Sequence, residues 1–174
     1  MIQVKNVIKS FDDKTILHSV DATFHDGKTN LIIGQSGSGK TVLMKSIVGL
    51  VTPENGEISY DGRDLLKMNT NQKKELRKEI GMLFQGSALF DSETVLGNVM
   101  FPLVMFTKMT QAEMRDRALF CIERVNLKGA DKKYPSELSG GMQKRVAIAR
   151  AIAMNPKYLF CDEPNSGLDP KTSI

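Results

Sequence analysis

Gly34-Gln35-Ser36-Gly37-Ser38-Gly39-Lys40-Thr41 is a glycine-rich octet set between the apolar run Thr29-Asn30-Leu31-Ile32-Ile33 and a helical pattern from Lys40 to Val48. It fits G-x-x-x-x-G-K-[ST], the P-loop pattern, whose expected context is a strand before it and a helix after it. Gly34, Gly37 and Gly39 let the backbone turn tightly and aim successive N–H groups inward. Those donors and the positive end of the following helix make a seat for oxygen anions. Lys40 is placed to reach the β- and γ-phosphates of a nucleoside triphosphate, and Thr41 to offer a hydroxyl to Mg2+. A glycine-rich turn that merely matches the pattern is the plainer alternative, and the correct flanks on both sides argue against it.

Outward from the octet, strands and helices alternate. Ile2 to Val7 and Ile16 to Phe24 have strand spacing, and Thr29 to Ile33 reads as a short buried strand. Gly49 stops the helix that runs to Val48. Glu57 to Tyr60 is a strand between the turns Pro53–Gly56 and Asp61–Gly62, and Asn71 to Lys78 is a charged helical stretch. Ile80 to Phe84 and Tyr158 to Cys161 read as buried strands. Thr110-Gln111-Ala112-Glu113 forms a capping box ahead of a helix with Met114, Ala118, Cys121, Ile122 and Val125 on one face. A further helix is expected from Gly141 to Met154, ending at Asn155-Pro156. The order predicts one α/β domain over residues 1–174 with a largely parallel core sheet. An antiparallel β-subdomain is expected at the N-terminus, and a mostly helical subdomain over about residues 71–134 is inserted between core strands.

Composition excludes several classes. The 174 residues are 41% hydrophobic and 25% charged, the balance of an ordinary folded domain, which argues against intrinsic disorder. Lys plus Arg number 24 against 20 Asp plus Glu, and a net charge of +4 is too mild to demand a nucleic-acid partner. The most apolar stretch, Val99 to Phe106, is far short of the roughly 20 residues of a membrane span and contains Pro102. Cys121 and Cys161 lie among apolar neighbours and read as reduced core thiols.

Asp162 and Glu163 follow the strand Tyr158 to Cys161, so they emerge at its carboxyl end, where open α/β sheets bind ligands. There Asp162 is suited to hold Mg2+, and Glu163 to polarise an attacking water. A solvated acidic turn is the alternative. Leu138-Ser139-Gly140-Gly141-Met142 opens a helix: Ser139 is a good N-cap, and the two glycines permit close approach to its positive end. Taken alone, this segment reads equally well as an ordinary capped helix start.

With these elements in order, nearly the whole chain resembles the ATP-binding cassette (ABC) ATPases, a family of P-loop NTPases. The resemblance implies that Leu138 to Met142 is the signature motif, which caps the γ-phosphate of ATP held by the opposite protomer. It implies that Lys40 binds phosphate, Asp162 holds the metal and Glu163 is the general base. Phe11 falls where the family stacks an aromatic on adenine, with a core phenylalanine as the alternative. Gln85 follows its strand as the family's glutamine does, toward Mg2+ and the attacking water. Ser166-Gly167-Leu168-Asp169 matches the loop that crosses the dimer interface.

The implied cofactors are ATP and Mg2+, with the P-loop residues Gly34, Gln35, Ser36, Gly37, Ser38, Gly39, Lys40 and Thr41 as the cradle. Implied partners are a second cassette and membrane permease subunits, at the cytoplasmic face of the inner membrane. Closure on ATP would be transmitted near Gln85 and through the apolar segment Ala88 to Phe106, unless that segment simply packs inside the helical subdomain.

Leu83 to Ser92 and Thr94 to Leu103 are similar to cassettes of bacterial phospholipid transporters that work with mammalian-cell-entry (MCE) proteins. Met142 also fits that subgroup, since most transport cassettes have Gln there. Alternatives are a cassette for another small substrate and a soluble ABC ATPase outside transport. The intervals lack the long coiled coil of DNA-repair types, and a P-loop kinase has no use for Leu138 to Met142. A pure interaction module would have no need of the phosphate and acid sets. Family members continue beyond Ile174 and carry a switch histidine, whereas His18 and His25 both precede the P-loop. The chain is therefore expected to be a C-terminally incomplete cassette with weak hydrolysis and an apolar sheet edge left open.

Overall fold

The computed structural model describes residues 1–163. The chain divides into two compact units, Met1–Arg77 and Lys78–Ile174.

In the first unit, β1 (Ile2–Phe11) pairs antiparallel with β2 (Lys14–Phe24) on one side and with β3 (Asn55–Tyr60) on the other. The two-residue β4 (Arg63–Asp64) adds to β3 through the Asp61-Gly62 turn, giving the order β2-β1-β3-β4. Both turn residues have positive φ, 48° and 78°, as a tight hairpin demands. Ile2, Val4 and Val7 are buried, and the step from Val4 to Val7 in place of a two-residue alternation marks a register shift. At that irregularity Asn6 and Ser19 take left-handed backbone, and the Asn6 N–H donates to the Asp21 carboxylate at 2.8 Å. Helix α1 (Lys40–Ile47) buries Leu43, Met44 and Ile47. The buried Tyr60 hydroxyl donates to the Ile47 carbonyl at 2.8 Å, so the last turn of α1 is tied to β3. Helix α2 (Thr70–Lys78) leads out of the unit.

In the second unit, β5 (Ile80–Leu83) and β6 (Tyr158–Cys161) pair in parallel, from Ile80 opposite Tyr158 to Leu83 opposite Cys161. Between them in sequence lie α3 (Val95–Phe106), α4 (Gln111–Arg124) and α5 (Gly140–Ile152). These helices share a core that includes Val99, Leu103, Cys121, Ile122 and Val146. The capping box forms as the sequence predicts, with reciprocal bonds between Thr110 and Glu113. Helix α3 falls within the stretch 71–134 expected to be mostly helical, although it contains Gly97 and Pro102. It forms because Val95, Val99 and Leu103 recur at four-residue spacing and are all buried, and because Thr94 caps its start.

Three expectations need correction. Thr29 to Ile33 forms no strand: no strand among the described residues pairs with it, and Leu31 and Ile33 are 78% and 84% exposed. An apolar run becomes a buried strand only where a neighbour supplies ladder bonds and cover. Strand β6 is buried at Tyr158 but half-exposed at Leu159. Cys121 is a core thiol as expected, whereas Cys161 is exposed at the end of β6.

Candidate functional site

In the first unit residues 29–35 have no regular secondary structure, and Ser36 to Gly39 turn the chain into α1. Gly39 caps the helix with φ +92°, a left-handed conformation. A Cβ there would meet the Ile16 carbonyl oxygen at 3.2 Å and the Ile16 and Leu17 side chains at 3.1 Å. At Gly34 a Cβ would stand 2.6 Å from the Ser38 hydroxyl. Gly39 offers no side chain to the first N–H groups of α1, and no acidic residue lies in the first turn. That leaves the helix start suited to an anion. The Lys40 ammonium donates to the Gly34 and Gln35 carbonyls at 2.8 Å each, and so lies across the mouth of the loop. Neutral carbonyls are weaker partners for an ammonium than phosphate oxygens. The donor set fits a polyphosphate.

Phe11 ends β1 and is 46% exposed, which removes the reading of a core phenylalanine. The Lys9 ammonium covers one face of its ring at 5.0 Å and is itself held by Glu54 at 2.6 Å. The hydrogen bond from Lys9, helped by the Ser10 N–H, draws the Glu54 carboxyl below its ordinary value.

In the second unit the parallel pair brings three predicted residues together. Leu83 and Cys161 are opposed at the carboxyl ends of β5 and β6, so Gln85 and Asp162–Glu163 leave the sheet side by side. The Asp162 N–H donates to the Leu83 carbonyl at 2.9 Å, extending the ladder by one bond, and Asp162 is buried. Glu163 turns out at φ 47°, and the Gln85 side-chain amide donates to its carboxylate at 2.7 Å. Among the described residues no three His, Cys, Asp or Glu side chains cluster as a metal site. The Asp162 carboxylate of this unit is a hard oxygen donor of the kind Mg2+ takes, and so, in the first unit, is the Thr41 hydroxyl.

Ser139 caps α5 as expected, its hydroxyl accepting from the Met142 N–H at 3.3 Å. The helix starts at Gly140 and ends at Ile152, slightly earlier at both ends than predicted. Leu138 is buried, while Ser139 and Gly140 are exposed. Asp169 and its loop lie outside the described residues.

One residue at this site escaped the sequence reading. Arg150, near the end of α5, donates one guanidinium nitrogen to the Ala88 carbonyl and the other to the Ser87 carbonyl, each at 2.8 Å. The signal was present as a lone cation in the otherwise apolar run Val146 to Ile152.

The family model for ABC transporters matches residues 17–166. The chain belongs to the ABC transporter family, and its fold is that of the family's P-loop ATP-binding cassette. Among solved structures, a dimeric bacterial ABC transporter cassette, MJ0796, superposes with a TM-score of 0.92 at 35% identity, covering 99% of this chain and 78% of that one. The same cassette in a post-hydrolysis state bound to ADP and Pi superposes at 0.90. The probable ribonucleotide transport ATP-binding protein mkl of Mycobacterium leprae is 42% identical over 97% of this chain and 49% of its own length. The intermembrane phospholipid transport system ATP-binding protein MlaF of Haemophilus influenzae is 42% identical over 98% of this chain and 64% of its own. A methionine import ATP-binding protein, MetN of Carboxydothermus hydrogenoformans, is 43% identical over 99% and 52%. The chain thus spans about half to two thirds of the length of these relatives.

Proposed function

We propose that this chain binds Mg-ATP and hydrolyses it at a head-to-tail interface between two cassettes, driving transport by membrane subunits, with phospholipid as cargo. The observation that carries the hydrolytic reading is the Gln85–Glu163 hydrogen bond at the carboxyl ends of the parallel pair. It holds a carboxylate and an amide where a water could be oriented and deprotonated. Lys40 and the octet Gly34 to Thr41 take the phosphates, Asp162 and Thr41 bear on the metal, and Phe11 stacks on adenine with its free face. Leu138 to Met142 faces the partner's nucleotide, with Asp169 contributing at the same seam. Closure is favoured by triphosphate and released by its hydrolysis, because the bonds to the γ-phosphate exist only in the closed dimer.

Residues 71–134 form a helical subdomain within a single cassette domain, and its outer surface receives the membrane subunits. Phe101, Val104 and Met105 of α3 are exposed together with Phe90, whose ring lies 4.6 Å from that of Phe101. Such a surface suits an apolar helix of a permease. Attachment at the inner face is assigned to that contact; no helix among the described residues is long and apolar enough to cross a membrane. Likeness to MlaF and the run Leu83 to Leu103 support phospholipid and an MCE-type partner. Comparable identity to MetN supports a second reading, an importer of a small solute.

Glu163→Gln tests the hydrolytic claim. ATP binding should persist, hydrolysis should fall on the order of 10²–10⁴-fold, and sedimentation should show an ATP-dependent dimer. A variant that hydrolyses normally removes Glu163 as the base. For the cargo, phospholipid recovered with the reconstituted transporter supports the first reading, and its absence alongside bound methionine supports the second.

A further inference from the structure

We propose that Arg150 is a positioning residue that ties the turn after Gln85 to helix α5, so that the helix opened by Ser139 also sets where the Gln85 amide points. The inference deepens the function proposed above and rests on its assignment of Gln85.

The turn is built from residues that resist its shape. Ser87 and Ala88 are consecutive and both left-handed, at φ 59° and 48°, though neither is glycine. Their own bonds are local: Ser87 N–H to the Phe84 carbonyl at 3.0 Å and Ala88 N–H to the Gly86 carbonyl at 2.6 Å. Backbone of this kind persists only where its surroundings over-determine it. Arg150 supplies that constraint. Its planar fork donates to the two successive carbonyls of Ser87 and Ala88 at 2.8 Å each, and its guanidinium lies 5.8 Å over the Phe90 ring. A lysine could not make this pair of bonds, since its ammonium is a single point. Burial lowers the Arg150 pKa from its usual value.

The other end of the link is equally firm. Arg117 of α4 donates to the Ala153 and Ile152 carbonyls at 2.9 and 3.1 Å, closing the C-terminal end of α5. Gln143 donates to the Pro135 carbonyl at 2.9 Å near its start. Arg150 lies three turns along this bar from Ser139, about 16 Å at the α-helical rise. A shift of α5 when Ser139 engages a partner's nucleotide is therefore carried to residues 86–88, and through them to the Gln85–Glu163 bond.

The test is a double-mutant cycle in single-turnover ATP hydrolysis with protein in excess. Arg150→Met should slow hydrolysis by roughly ten- to a hundredfold, with ATP affinity by calorimetry unchanged within about twofold. Gln85→Ala should slow it comparably, and the double variant should be no slower than Gln85→Ala alone, because residues acting through one another are non-additive. Amide hydrogen exchange at Ser87 and Ala88 should accelerate at least tenfold in Arg150→Met while Asn98 is unaffected. Arg150→Lys is the second variant should Arg150→Met fail to fold, and it should be as slow. Fully multiplicative losses, or full activity in Arg150→Lys, overturn the proposal while leaving Gln85 in its role. Normal hydrolysis in Gln85→Ala overturns that role and the proposal with it.

Discussion

The two units build their sites from different material. In the first, the octet from Gly34 to Thr41 is a main-chain device: its shape depends on where a Cβ is missing, at Gly34 and Gly39, and only Lys40 adds a side-chain charge. In the second, the site is made of side chains: Gln85 against Glu163, with the Arg150 fork on the Ser87 and Ala88 carbonyls and the buried Asn98 nearby in sequence. Asn98 bonds the Phe90 N–H at 2.8 Å and the Phe90, Glu93 and Thr94 carbonyls at 3.0–3.1 Å, fixing the loop ahead of α3. A main-chain cradle tolerates most substitutions and fails at a few. A side-chain site depends on the packing of everything beneath it.

Substitutions can break or sharpen that contrast. The largest effect is expected from Ile122→Ala in the core under α3–α5, which should cost about 2–5 kcal/mol of stability by urea denaturation and should disturb the Gln85–Glu163 pair. Lys40→Ala comes next. It should weaken ATP binding by roughly ten- to a hundredfold, the worth of a charged hydrogen bond, with little change in melting temperature; unchanged affinity by calorimetry would remove Lys40 from phosphate binding.

Thr110→Ala should cost about 1 kcal/mol at neutral pH. The bonds from the Thr110 N–H and hydroxyl hold Glu113 below its usual 4.5. A depressed carboxylate stabilises above its unfolded value and loses that contribution as pH falls through its folded value. The gap between wild type and Thr110→Ala should therefore narrow below pH 4.5 in thermal scans. The smallest effect is expected from Gln35→Ala: if the cradle is main chain, ATP affinity should stay within about threefold, and a loss as large as that of Lys40→Ala would end the contrast.

The sequence made most of this legible where local chemistry decides the outcome. The Thr110 capping box, the Ser139 cap and the acids after β6 are short-range patterns and lie where the sequence puts them, and the octet leads into its helix as read though no strand precedes it. Misreadings came where distant neighbours decide. Thr29 to Ile33 has the composition of a buried strand but no paired neighbour among the described residues. Helix α3, by contrast, lies in a stretch read as mostly helical, and it accommodates Gly97 and Pro102 because burying Val95, Val99 and Leu103 outweighs two poor helix formers. Arg150 showed in the sequence only as a lone cation in an apolar run, and its contacts were not legible because its partners are backbone carbonyls some sixty residues upstream, which leave no mark in sequence.

Gly81 in β5 gives the second unit its clearance. A single methyl there would come within 2.3 Å of the Ala151 carbonyl and 2.8 Å of the Pro156 ring. Ala151 is the residue next to Arg150. A hydrogen atom in the strand thus acts as a shim: thickening it would lift the end of α5 off the sheet and drag the guanidinium away from its two carbonyls, detuning a water-orienting amide from a place that touches neither nucleotide nor metal.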